Sequence, residues 1–232
     1  MYLSRLSLSR DPAVEALSAL LNPADIGRRT DAHHRLIWSV FAGDPQAKRD
    51  FLWRDEGDGR FLVLSPKPPK PSGLFDAHHV KEFTPDLRRG DRLSFLLRAN
   101  ATRSVKTEAV ERTRKTKSAR RDVVMDALHP IANGARARVR MELAQQAGAK
   151  WLDAQAQRAG FTVLKSVVTG YRKIEFANPD RPRDRNSKRC FGVIDLEGVI
   201  EIVDPAAFMP RLMNGFGRAK AFGCGLMLIR RA

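Results

Sequence analysis

The sequence is poor in the residues that hold metals and build disulfides. Among 232 residues there are two cysteines, Cys190 and Cys224. Their separation fits neither a zinc site nor a disulfide framework, so both are expected as reduced thiols. No apolar run approaches the roughly 18 residues of a membrane span. Arg5 and Arg10 break the N-terminal apolar residues, so no signal peptide is expected. A cytoplasmic chain with no membrane partner is the expectation. No Gly-Lys-Ser/Thr closes a Walker loop. There is no H-E-x-x-H, and no acidic cluster has cation-ligand spacing. The histidines are His33, His34, His78, His79 and His129. Adjacent side chains point about 100° apart on a helix and to opposite faces of a strand, so neither pair chelates one ion simply. No metal and no cofactor are expected, and metal-free chemistry is favoured over a two-metal nuclease.

What the chain has instead is positive charge, unevenly placed. The net charge is +16 and the pI about 10.7. Residues 1–88 hold 13 Lys and Arg against 12 Asp and Glu, whereas residues 89–232 hold 29 against 14. Solubility needs no such asymmetry; a polyanion-binding face does. No amphipathic helix with a bulky apolar face accompanies the basic runs, so nucleic acid is a better partner than an anionic membrane. Two blocks stand out. Residues 101–121 carry eight cations against Glu108 and Glu111, and the cations include Arg112, Arg114, Lys115, Lys117, Arg120 and Arg121. Arg181, Arg183, Arg185, Lys188 and Arg189 face only Asp184. The second block falls at the tip of a predicted hairpin, where it can follow phosphates or enter a groove near the end of a stem.

Periodicity gives an α+β chain. An alternating strand over 1–9 is followed by helical material over 12–42, broken near Pro23 and Gly27. A hairpin follows at 51–64, turning at Gly57-Asp58-Gly59, then a Pro-rich loop, a short helix or turn near 74–77 and a strand at 79–83. This is a βαββαβ, ferredoxin-like order. The order repeats: strand 92–100, helix 151–159, strands 161–176 and 189–203, helix 205–213 and strand 222–230. We therefore expect two tandem ferredoxin-like (RRM-like) domains, 1–88 and 89–232, the second with a basic insertion over about 101–149.

Near the end, Gly215-Phe216-Gly217-Arg218-Ala219-Lys220-Ala221-Phe222-Gly223-Cys224-Gly225 sets two Gly-X-Gly pairs around two cations. Glycine permits positive φ and leaves no Cβ between its amide and a ligand. The loop suits a phosphate, and it equally suits a turn closing the last strand. RNA supplies its own nucleophile, the 2′-OH. Cutting it needs a group to take that proton, a group to protonate the 5′-oxygen and charge stabilisation at phosphorus. Histidine can do either proton job, and Lys, Arg and backbone amides the last. His33 and His34 fall on the first long helix, where Leu36, Ile37, Val40 and Phe41 form the inward stripe. One of the two can face outward.

Six segments in order carry a resemblance: Met1-Tyr2-Leu3-Ser4, His34-Arg35-Leu36-Ile37-Trp38, Arg49-Asp50-Phe51-Leu52-Trp53-Arg54, Leu97-Arg98-Ala99-Asn100, residues 196–205 and the loop 215–225. Together they resemble the CasE family, the CRISPR repeat-processing endoribonucleases of type I-E systems. The resemblance implies two ferredoxin-like domains that cleave precursor CRISPR RNA at the base of the repeat stem-loop. The products would be a 2′,3′-cyclic phosphate and a 5′-hydroxyl. The protein would stay on the CRISPR RNA 3′ hairpin beside the other Cascade subunits. It places the catalytic histidine four residues before Trp38, at His34, with His33 the runner-up. The family's tyrosine three residues earlier is Asp31 here, a possible orienter of the imidazole. The family's basic hairpin corresponds to 172–189, so Arg172 and Lys173 join the RNA-binding set, as do Gly215, Gly217, Arg218, Lys220, Gly223 and Gly225. Two other readings compete: a non-catalytic RNA-binding subunit of the same superfamily, and a basic structural protein of a ribonucleoprotein particle.

Overall fold

The computed structural model describes residues 1–42, 49–106, 118–176 and 189–232. The chain opens with β1 (Tyr2–Ser7) and the short helices α1 (Pro12–Glu15) and α2 (Ser18–Leu21), followed by α3 (Ile26–Ser39). The hairpin β2 (Leu52–Gly57) and β3 (Arg60–Ser65) comes next, then β4 (His79–Glu82). The turn between β2 and β3 uses positive φ at three successive residues, Gly57, Asp58 and Gly59, as a tight hairpin with right-handed strand twist requires. All pairings are antiparallel and the strand order is β2-β3-β1-β4. This is the ferredoxin-like order. Its second crossover is a turn, tied to the strand end by a Leu8–Phe75 bridge.

The order recurs in the second half. There β5 (Arg92–Ala99), the hairpin β6 (Thr102–Lys106) and β7 (Ser118–Asp122), and α4 (Val123–Leu128) precede the long α5 (Arg136–Ala159). The chain then runs through β8 (Phe161–Phe176), β9 (Arg189–Ile202), α6 (Pro205–Asn214) and β10 (Met227–Arg231). The sheet order is β10-β5-β9-β8, again antiparallel throughout. Two expectations are corrected. The crossover helix begins at Arg136 and not at 151, because the Ala-rich stretch through 149 already presents Ala144 and Gly148 to the sheet. The last strand begins at Met227 and not at 222, because Lys220–Phe222 wind into a 3-10 turn between left-handed Ala219 and Gly223.

Each sheet buries one face under its helices. In the first half Leu6, Phe61 and Val63 meet Leu36 and Ile37 of α3. In the second, alternate β5 residues Leu93, Phe95 and Leu97 meet Leu152, Ala156 and Phe208. Between them lies a small apolar seam of Leu52, Leu64 and Leu226, with Phe83 and Met213 packed against it. At Gly27 a side chain's Cβ would sit 2.0 Å from the Glu175 carbonyl oxygen. The first turn of α3 thus rests on the backbone at the end of β8.

Candidate active site and nucleic-acid interface

The helix α3 starts where Asp25 accepts the Arg28 amide at 2.8 Å, a side-chain cap for an otherwise orphan N–H. From there the two neighbouring histidines diverge. His33 points inward and is 2% exposed. Its ring stands edge-on to Phe61, with centroids 4.8 Å apart, and its Nδ1 lies 3.3 Å from Asp55 Oδ2. His33 is thus a core histidine held at Nδ1 by Asp55, with its Nε2 buried and without a hydrogen-bond partner among the described residues. His34, turned about 100° round the helix, faces the second half of the chain. It lines a pocket of about 410 Å³ with Arg35, Trp38, Ser39, Arg49 and Ala221. The rings of Trp38, four residues on, and of Phe222 lie 6.5 and 5.9 Å from it, centroid to centroid.

Burial, and after it the nearby Arg49 guanidinium, pushes the His34 pKa below the ordinary histidine value. Asp31 and a hydrogen bond to the Ala221 backbone act in the opposite direction without overcoming them. The imidazole is therefore neutral at pH 7, as a proton acceptor must be. Its Nδ1 is buried with no hydrogen-bond partner among the described residues. Asp31 makes its ion pair with Arg35, at 2.9 Å one helical turn away. Its influence on the ring is through space. Arg49 donates to the Phe51 carbonyl and lies over the Phe51 ring. Burial, Arg211 and Arg49 together hold the Lys220 ammonium below its usual pKa, and its Nζ donates to the Asn214 carbonyl.

The Gly-rich loop is mostly a joint. The amides of Gly215, Phe216, Arg218, Phe222 and Gly225 are spent on carbonyls of Arg211, Gly225, Asn100, Ala219 and Arg98. A Cβ at Gly217, where φ is +74°, would meet the Asn100 oxygen at 2.7 Å, so glycine is required on both counts. Gly215 packs on Leu52, Gly223 on the Trp53 ring and Gly225 on the Phe216 backbone. The Ala221 carbonyl accepts the Trp53 indole N–H at 3.1 Å. The loop thus binds the two halves together and sets His34 against its middle. Arg218 is exposed on it.

A second chain of contacts crosses the same seam. Arg98 donates to Asp195 Oδ1 at 2.7 Å and to the Asp55 carbonyl at 3.0 Å, while Arg172 donates to Asp195 Oδ2 at 2.7 Å. Burial pushes the Asp195 carboxyl up, but the two guanidiniums outweigh it and the net shift is downward. Arg172 is thus engaged by Asp195, and Lys173 by Glu175 at 3.2 Å. Arg121 pairs with Asp126, and Arg120 is exposed. Arg112, Arg114, Lys115, Lys117, Arg181, Arg183, Arg185 and Lys188 lie outside the described residues. Arg189 is paired through its backbone with Phe176 at the root of that segment. Sequence reasoning missed the role of Arg49, although it stands in a quoted segment. It also missed the rings of Phe176 and Phe191, which pack on Phe222 with centroids 4.9 and 5.6 Å away. Burial of Cys224 between the glycines raises its thiol pKa to about 12, so it is an inert core residue.

A model of the family described as "CRISPR associated protein" matches residues 1–231. The chain is 25% identical over 200 residues to the CRISPR system Cascade subunit CasE of Escherichia coli (strain K12), covering 84% of this chain and 88% of that one. The crystal structure of the CRISPR-associated protein Cas6e from Escherichia coli K-12 superposes with a TM-score of 0.66 at 21% identity, covering all of both chains. A structure of CRISPR endoribonuclease Cse3 bound to 19 nt RNA gives 0.68 at 21% identity, covering 99% of this chain and all of that one. The structural likeness bears on the fold, which it matches as tandem ferredoxin-like units.

Proposed function

Because the chain belongs to the CRISPR-associated protein family and bears out the CasE resemblance of its sequence, we propose that it is a metal-independent endoribonuclease of precursor CRISPR RNA. It cuts at the base of the repeat stem-loop and stays on the hairpin as a Cascade subunit, in the cytoplasm. The domain division falls near residue 88, between the end of β4 and the start of β5. Relatives carrying the names CasE and CRISPR endoribonuclease, one of them bound to RNA, support this reading.

The observation that carries the chemistry is His34: half-buried, held neutral, and set in a pocket with Arg49 beside the joint of the two sheets. His34 takes the proton of the 2′-OH. The 2′-oxygen attacks phosphorus, the bond from phosphorus to the 5′-oxygen breaks, and the cyclic phosphate forms. Arg49 stabilises the charge that gathers on the phosphoryl oxygens. Lys220, an ammonium made more acidic than usual by its surroundings, returns a proton to the leaving 5′-oxygen. The basic segments over 112–121 and 181–189 hold the stem. Arg172 and Lys173 join them by exchanging carboxylates for phosphates.

The test is cleavage of a repeat hairpin in excess EDTA, with product ends analysed. Cleavage to a 2′,3′-cyclic phosphate and a 5′-hydroxyl is expected, and a 2′-deoxy nucleotide before the cut should abolish it. A requirement for added divalent metal would overturn the mechanism. Tight binding without any cleavage would favour the non-catalytic subunit.

A further inference from the structure

A groove of about 820 Å³ lies apart from the His34 pocket and shares no lining residue with it. Its floor is one face of α5 from Leu143 to Arg158, residues spaced three and four apart, with the Trp151 side chain set into it. At 1.5 Å per residue this face runs about 22 Å. The β6–β7 hairpin and α4 form one wall, and Arg211, Gly217 and Arg218 close the end.

The lining holds Arg103, Arg120, Lys150, Arg158, Arg211 and Arg218 against a single carboxylate, Asp126. That carboxylate is already shared by Arg103 and Arg121. Among the described residues none of the other five groove cations is in an ion pair. Arg158 donates to the Ala154 carbonyl of its own helix at 2.9 Å, and Arg211 to Gln155 at 2.7 Å. Burial and the neighbouring Arg158 also depress the Arg211 pKa. Arg158 and Arg211 are thus like-charged neighbours, and among the described lining residues the one carboxylate is the already shared Asp126. Folding alone gains nothing from that arrangement, and a polyanion relieves it.

The groove also has a direction. Gly217 and Arg218 form its end, and Ala221, three residues further along the same loop, lines the His34 pocket. The loop that closes the groove therefore also borders the pocket, with Lys220 between the two lining stretches. We propose that the groove holds a single-stranded RNA segment flanking the stem-loop, about four nucleotides long, the short end of the range for such sites. The proposal rests on the stem-loop reading above and adds a second site to it. An acidic protein surface is the competing occupant. The observations favour RNA, because the cation-lined groove and the candidate reaction centre border the same loop.

The experiment uses the full chain and cleavage-blocked 2′-deoxy hairpins: one without flanks, and others with eight unpaired uridines on the 5′ or the 3′ side. The wild type should bind one flanked hairpin about tenfold more tightly than the unflanked one. Its log–log salt slope should be steeper with the flank, by roughly 0.7 for each added phosphate contact. The variant Lys150→Glu/Arg158→Glu should lose that gain while keeping its affinity for the unflanked hairpin, which also shows that it is folded. No gain from either flank, or an equal loss on all three RNAs, overturns the groove assignment. So does a variant that keeps the flank gain but no longer joins its partner subunits, which assigns the groove to a protein. Failure of the wild type to bind even the unflanked hairpin would instead overturn the stem-loop reading.

Discussion

The His34 ring lies 5.9 Å from the Phe222 ring, centroid to centroid, so a residue of α3 and a residue of the last loop share one site. Neither half of the chain builds that site alone. His34→Ala removes the proposed proton acceptor and leaves the basic surfaces intact. Single-turnover cleavage of the repeat hairpin should fall by about 10² to 10⁴, with hairpin affinity in a gel-shift titration within about twofold of wild type.

The proposed role of His34 as base gives the pH profile its sign, and burial, followed by Arg49, lowers the pH at which it acts. A base whose pKa is lowered is fully active above that pKa and loses activity as pH falls through it. For the wild type, kcat/KM should rise with pH along an acid limb centred below 6.5, the usual histidine value, level off, and fall again at alkaline pH as the Lys220 ammonium, held below its usual pKa, loses its proton. Arg49→Gln removes one of the causes of the lowering, so the limb should move to higher pH. The plateau should drop by about 10² to 10³ with the lost charge stabilisation. A rate that declines as pH rises from 5 to 7 would assign His34 the role of acid.

His33 should behave as structure. His33→Ala leaves a cavity against Phe61 and Trp53 and strips the Asp55 carboxylate of its imidazole partner. A loss of about 2–4 kcal/mol is expected from urea unfolding, while the folded variant at 15 °C should cleave within about tenfold of wild type.

Asp195 predicts an acid-dependent stability. Its carboxyl titrates below the ordinary range, so its contribution is complete above the unfolded pKa near 3.9 and is lost as pH falls through the lowered folded value. Asp195→Asn leaves the Arg98 and Arg172 guanidiniums without their carboxylate in the seam. It should cost about 3–5 kcal/mol at pH 7. The gap from wild type should narrow as pH falls below the unfolded value near 3.9, as measured by denaturant unfolding across that range.

Local pattern carried most of the fold. The alternation of Leu93, Phe95 and Leu97 and the glycines around Asp58 specify elements within a few residues of sequence, and both were legible. The start of α5 was not, because Ala and Gln between 144 and 149 carry little periodic signal until a sheet packs against them. The site was half legible. Helical geometry says that His33 and His34 diverge, but not which one meets the core; that depends on Asp55 and Phe61, more than twenty residues away. Phe222 reaches His34 only through the joint between the sheets, a contact that no local spacing encodes, and Arg49 reaches it from just ahead of β2. The glycines of 215–225 were legible as special backbone, but their main work, close approach to Leu52, Trp53 and Asn100, is tertiary.

Gly27 carries a final consequence. With its missing side chain replaced by the Glu175 carbonyl, the helix bearing His34 sits directly on the end of the strand that runs into the basic 177–188 segment. Nothing compressible lies between them. A shift at the end of that strand is therefore a shift at the base of the helix bearing His34, as the blade of a shear follows its handle. Any larger residue at position 27 loosens that pivot, so the grip on the RNA and the alignment of the cut would degrade together, however well each half were made.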